Sequence, residues 1–200
     1  QLVNNVIHQA QSLLDQVNVY RIKIQAKVAQ NQLTEAIGIG GQFLQQLGVT
    51  LPETPTENDI HHSITEVLQL IGDRDIEDLV NLPLMTDREK IAIVQIANSI
   101  IPVAYISSPP LFPILISWSV KLSIQYGNTS ASAFAYACYG SIACIVLQDI
   151  DIGVKFGHFA INLGAKLDAK TVNPEVNNAV GLFIFHRKYH VQTVISILQK

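Results

Sequence analysis

At 200 residues the chain has the length of one domain or of a short repeat array, enough to bury a sizeable core. Hydrophobic residues make up 48% and charged residues only 14%, against a usual charged share of about 25%. Such a chain is expected to hide much of its surface or to be a piece of a longer protein. A net charge of -3 and a pI near 6.0 exclude the electrostatic footprint expected of a partner of nucleic acid or of an anionic membrane.

The periodicity predicts helices nearly throughout, with Gly and Pro between periodic segments. A first helix is expected from about Leu2 to Asn31, with Val6, Leu13, Leu14, Val17, Ile24 and Val28 on its apolar side. A second runs from Leu33 to Leu47 and closes at Gly48, a residue suited to the left-handed conformation. Val49 to Thr56 carries two prolines and reads as an extended linker. Thr56-Glu57-Asn58-Asp59 then opens a helix to about Gly72, and a short one covers Ile76 to Leu79.

Thr86-Asp87-Arg88-Glu89 has the form of a capping box for a helix through about Tyr105. Ile91 to Val120 is strongly apolar, but Pro102, Pro109, Pro110 and Pro113 divide it, so buried helices are expected and not a membrane span. Pro109-Pro110 begins a helix ending at Gly127. Asn128-Thr129-Ser130 is expected to cap a helix from Ala131 to Leu147, paired with one from Ile150 to Leu167. Pro174 lies in the first turn of a helix from about Asn173 to Arg187. The last helix starts near Val191, with Val191, Val194, Ile195 and Leu198 on one face. Because the chain stops inside that pattern and lacks an initiator Met, it reads as a fragment, and self-association through its ends is a further expectation.

Three segments echo one another: Gly41 to Gly48, Val120 to Gly127, and Gly157 to Gly164. Their last residues are 79 and 37 apart, about two periods and one. Self-similarity at this period signals stacked helical hairpins. The expected fold is therefore an all-α, tetratricopeptide-like superhelical array of antiparallel helix pairs. It divides into a first pair (1–48), an irregular linker with short helices (49–85) and the remaining pairs (86–200), within a single helical-repeat domain. Repeat-packing residues are expected at Gly41, Phe43, Gly48, Tyr126, Gly127, Tyr136, Tyr139, Gly140, Gly153, Gly157, Phe159, Ala160 and Gly164.

Tyr136-x2-Tyr139-Gly140 resembles the first helix of a tetratricopeptide repeat, and Gly153, Gly157 and Ala160 supply small residues for a partner helix. A longer ordered series is more specific. It runs Leu47-Gly48-Val49-x-Leu51-Pro52-x2-Pro55-Thr56, then Ile76-Glu77-Asp78-Leu79-x2-Leu82-Pro83-x-Met85-Thr86-Asp87, Ala104-Tyr105-Ile106, and Leu122-Ser123-x2-Tyr126-Gly127-Asn128 through Ser132-Ala133-x2-Tyr136-Ala137-x-Tyr139-Gly140. This series resembles the helical region of large bacterial, commonly cyanobacterial, signalling proteins. In those proteins a serine/threonine kinase and an AAA-type ATPase module precede such a stretch, and a GAF domain and a sensor histidine kinase follow it. The resemblance covers nearly all of residues 30 to 190. It implies a non-catalytic connector in signal transduction, with protein partners and no cofactor, and it offers no catalytic residue.

Candidate chemistry in the chain is sparse. No G-x4-G-K-[ST], H-R-D, D-F-G or G-x-G-x-x-G pattern occurs in a suitable place. His186 and His190 are spaced i, i+4, but Arg187 stands where a zinc protease needs Glu, and no third ligand lies nearby. His61-His62 with Glu66 reads as a solvated helix face. Gly38-Ile39-Gly40-Gly41 reads as close helix packing, not a phosphate cradle. Glu77-Asp78 with Asp73 and Asp75 reads as a solvated turn. Thr129, Ser130 and Ser132 read as capping residues, with phosphate acceptance as the functional alternative. Trp118, Tyr126, Tyr136 and Tyr139 could line a groove for a small ligand, the alternative function. Cys138 and Cys144 are expected to be buried and reduced, which favours a cytoplasmic setting.

Overall fold

The structure is a computed structural model that describes residues 12–167 and 173–198, with the side chains of 173 and 197 left out. Nine α-helices are present among these residues: α1 (Val17–Ala29), α2 (Leu33–Gln46), α3 (Glu57–Ile71), α4 (Arg88–Ser107), α5 (Leu111–Tyr126), α6 (Ser132–Ile145), α7 (Ile150–Lys166), α8 (Asn173–Phe183) and α9 (Val191–Leu198). Three short 3-10 segments, Leu13–Gln16, Ile76–Asn81 and Phe185–Arg187, complete the all-helical fold, and a single residue pair, Leu84 with Asn128, forms an isolated parallel bridge.

The helix boundaries follow local chemistry, sometimes at a different residue from the expected one. The expected helix from Leu2 cannot run unbroken, because Ser12 is extended (φ -142°, ψ 159°) and exchanges capping hydrogen bonds with Asp15. The part of that expectation on residues 2–11 lies outside the described residues. Thr56 and Asp59 form a reciprocal capping box that opens α3, as expected. At α4 the cap moves by one residue. Asp87, not Thr86, accepts from the amides of Glu89 (2.9 Å) and Lys90 (3.1 Å). At α6 the polarity inverts: Ala131 occupies the capping position without a side-chain bond, and the Ser132 hydroxyl accepts from the Thr129 amide at 2.8 Å.

Pro102 does not end α4, which continues to Ser107. The ring sits on an exposed face, while Ile100, Ile101, Val103 and Ala104 around it are buried and hold both halves in place. By length and a mean hydropathy of 1.4, α4 could cross a membrane, and 50% of that stretch is buried inside the protein.

The described chain divides into two compact units, which cut across the expected stretches 1–48, 49–85 and 86–200. Of the described residues, the first comprises 12–62 and 86–115, the second 63–85, 116–167 and 173–198. In the first unit α1, α2 and α4 pack against one another. Ile24, Ala36, Phe43, Leu44, Ile96 and Ile100 are buried there, and Tyr20 tilts against Phe43 with ring centroids 4.7 Å apart. Gly40 admits the Ile100 side chain, which lies 2.7 Å from where a Cβ would stand.

The second unit centres on α6, whose residues from Ser132 to Cys144 are nearly all buried, packed on α7 and α8. The Tyr136 ring meets Phe159 edge-on (centroids 4.7 Å apart), and Tyr139 meets Phe156 similarly (4.9 Å). The C-terminal helix α9 buries Val194 and leaves Val191 and Ile195 exposed.

Candidate functional site

Two parts of the ordered series, Ile76–Met85 and Leu122–Gly140, are brought together in the second unit, whereas Leu47–Thr56, Thr86, Asp87 and Ala104–Ile106 belong to the first. Gly127 has φ +105°, and a Cβ there would collide with the Pro83 carbonyl oxygen. This closeness lets the Asn128 amide donate to Pro83 O (2.8 Å), while Asn128 O accepts from the Met85 amide (2.9 Å). The Asn128 side chain donates to Leu79 O at 2.9 Å. Lys166 Nζ donates to Val80 O at 2.7 Å, so a second long side chain holds the same segment. Next to this clasp Ser123 Oγ and Ser132 Oγ share a buried hydrogen bond of 2.7 Å. The two stretches Ile76–Met85 and Tyr126–Gly140 are thus tied through backbone carbonyls.

Two tyrosines one turn apart differ in chemistry. The Tyr139 hydroxyl donates to Ile64 O at 2.8 Å, whereas the fully buried Tyr136 hydroxyl has no partner among the described residues. Burial pushes the ionisation of both well above the usual tyrosine range. It does the same to the thiols of Cys138 and Cys144, which makes them poor nucleophiles.

Helices α6 and α7 meet backbone to backbone. A Cβ on Gly140 would lie 2.9 Å from Gly153 O, and one on Gly153 would lie 2.8 Å from Gly140 O and collide with Cys144 Sγ. Gly157 faces Phe185, with Cε1 2.8 Å from an added Cβ. Phe159, Ala160 and Gly164 are buried on the same helix. Gly48 (φ +77°) follows α2, and Gly127 follows α5. Gly164 lies within α7, which continues to Lys166, and is buried. Gly41 faces Leu51, 3.2 Å from an added Cβ, and Tyr126 is 43% exposed.

The remaining candidates stand apart. His186 and His190 flank the turn after Phe185, and no group of three potential metal-binding side chains occurs among the described residues. Glu66 pairs with Lys121 at 3.0 Å. Arg74, beside the acidic Asp73 to Asp78 segment, donates from Nε to Ile71 O (3.0 Å) and from its terminal nitrogen to Leu70 O, closing α3. Asp151 and Lys188 form an exposed ion pair that lowers the carboxyl's pKa and raises the ammonium's.

Concave surface missed by the sequence reading lies in the first unit. A cleft of about 320 Å³ is lined by Leu14, Val17 and Asn18 from the start of the chain and by Arg88, Ile91, Ala92 and Gln95 of α4. The first turns of α1 and α4 sit side by side along it. Its floor is apolar and its rim carries two amides and one guanidinium. A signal for it existed in the sequence, as polar residues at helical spacing beside an apolar stripe, but nothing there paired residue 18 with residue 95. In the second unit a shallow cleft of about 280 Å³ is lined by Glu66, Gln69, Leu70, Lys121 and Gln125. No protein-family model, curated protein or solved structure matches the chain.

Proposed function

We propose that this chain is a non-catalytic helical scaffold and regulatory module of a multidomain signalling protein, with a tetratricopeptide-like array of helix pairs as its framework. Its work is to contact folded protein neighbours and hold them in a defined relation. The observation that carries the reading is the fate of the ordered series. Pro83, Met85, Gly127, Asn128 and Tyr139 take part in backbone bonds and a close approach within the second unit. Residues spent this way maintain a shape, which is what a connector must transmit. The mixed apolar and hydrogen-bonding cleft of the first unit supports the same reading, since such a surface suits a protein partner.

The test is calorimetric titration of the chain with an adjoining ATPase module of the kind the sequence resemblance implies, with and without nucleotide. Binding that changes with nucleotide is the expected result. Absence of binding in both conditions would contradict a connector role between those parts.

A further inference from the structure

We infer that the tip joining α4 to α5 inserts into the interfacial layer of a zwitterionic phospholipid bilayer. The inference goes beyond the connector reading and does not depend on it. Pro102, Tyr105, Ile106, Pro109 and Pro110 are exposed on the last turns of α4 and the turn that follows, Tyr105 at 54% and Ile106 at 68%. The partly buried Phe112 meets the Tyr105 ring edge-on, with centroids 5.3 Å apart. All of these residues belong to the first unit. They make an apolar wedge that carries one phenol, a side chain whose apolar body and polar tip suit the headgroup boundary.

Two observations select lipid as the occupant. The first is that the tip has no backbone amide left over. Ser108 donates to Ala104 O at 2.9 Å, Leu111 to Ser108 O at 2.9 Å and Phe112 to Pro109 O at 3.3 Å, while Pro109 and Pro110 have no N–H to satisfy. The Ser107 hydroxyl likewise donates to Val103 O at 2.9 Å. A surface entering lipid must satisfy its donors internally, a condition that a protein groove with acceptors of its own does not impose. The last carbonyls of α4 stay at the hydrated headgroup level. The second observation is charge. No charged or histidine side chain occurs from Ile91 to Val120, whereas other exposed apolar residues have charges beside them: Ile22 lies between Arg21 and Lys23, and Ile150 between Asp149 and Asp151. With no cation at the tip and a net charge of -3, apolar burial drives the insertion and anionic headgroups do not.

The experiment is flotation of the whole chain with phosphatidylcholine vesicles at low and at high salt. Flotation that persists in high salt is expected, and adding phosphatidylserine to the vesicles should not strengthen it. The double variant Tyr105→Ser, Ile106→Ser should bind about tenfold more weakly or worse. The control Val191→Ser, Ile195→Ser, which changes an exposed apolar pair in the second unit, should bind as the parent does. Matching circular dichroism and melting would show that all three proteins fold alike. Lipid with a nitroxide high on its acyl chain should broaden the NMR signals of Tyr105 and Ile106 and spare those of Val191 and Ile195. No flotation, flotation that needs phosphatidylserine and is lost in salt, or equal effects of the two double variants would overturn the insertion. A tip variant that floats as the parent does but binds a folded module more weakly would assign the tip to protein and overturn it too. Failure of the connector reading shows separately, in the titration with a folded module.

Discussion

The two units use their unusual residues in opposite ways. In the second, glycines bring backbone against backbone, Gly127 against Pro83 and Gly140 against Gly153, and the Asn128 side chain clasps the Leu79 carbonyl. In the first, Gly40 makes room for a side chain, the Cγ2 methyl of Ile100, and polar side chains line an open cleft. Backbone contacts have no flexible end that can yield, so the second unit tolerates little change. The first should tolerate much. Rigidity in one and an adaptable surface in the other is the contrast that the proposed connector role would use.

The sharpest way to break this comparison is at the tightest contacts. Gly127→Ala should cost about 3 kcal/mol or more, from left-handed strain together with the clash on Pro83 O, or should prevent folding outright. Gly153→Ala should cost a similar amount, and removing its side-chain obstacle with Cys144→Ala should recover only part, because Gly140 O remains in the way. Gly40→Ala should cost less, since the obstacle is a side-chain methyl of Ile100 and not backbone, and the residue keeps a helical conformation. Chemical denaturation of the four variants tests the order. Equal losses at Gly40 and Gly153 would remove the distinction between the units.

Smaller effects sharpen it. Tyr139→Phe should lose about 1 kcal/mol with its bond to Ile64 O. Tyr136→Phe should be neutral or slightly stabilising, because the hydroxyl it deletes is buried without a partner. Similar losses for both would mean that the Tyr136 hydroxyl is satisfied in solution. In the first unit, Thr56→Ala should cost about 1 kcal/mol through the lost cap of α3.

The mildest expectation concerns pH. The Thr56 amide and then its hydroxyl hold the exposed Asp59 carboxyl below the usual carboxylate range. A carboxyl whose folded pKa lies below its unfolded value adds stability that is fully present above the unfolded value and lost as pH falls through the folded one. Carboxyl-detected NMR titration should show a depressed midpoint for Asp59 that rises only part of the way towards the ordinary value in Thr56→Ala, because the residue 56 amide still donates to the carboxylate.

Much of the helical layout was legible because the signals are local. Thr56 and Asp59 are three residues apart, and Gly48 and Gly127 follow their helices directly, so caps and ends can be read along the chain. Thr86 and Asp87 show the limit: two adjacent residues can each cap, and only the backbone angle at the helix start chose Asp87. The clasp of Asn128 on Leu79 and the bond of Tyr139 to Ile64 join residues 49 and 75 positions apart, which no periodicity reveals. The cleft was hidden for the same reason. Asn18 and Gln95 are unremarkable polar residues until α1 and α4 are laid side by side.

The most direct test of the account is amide hydrogen exchange of the whole chain alone and with a bound folded partner module. The account predicts slowed exchange in the first turns of α1 and α4, and unchanged, already slow exchange at Met85 and Asn128 in the clasp. Slowing confined to the clasp segments, with α1 and α4 unaffected, would contradict it.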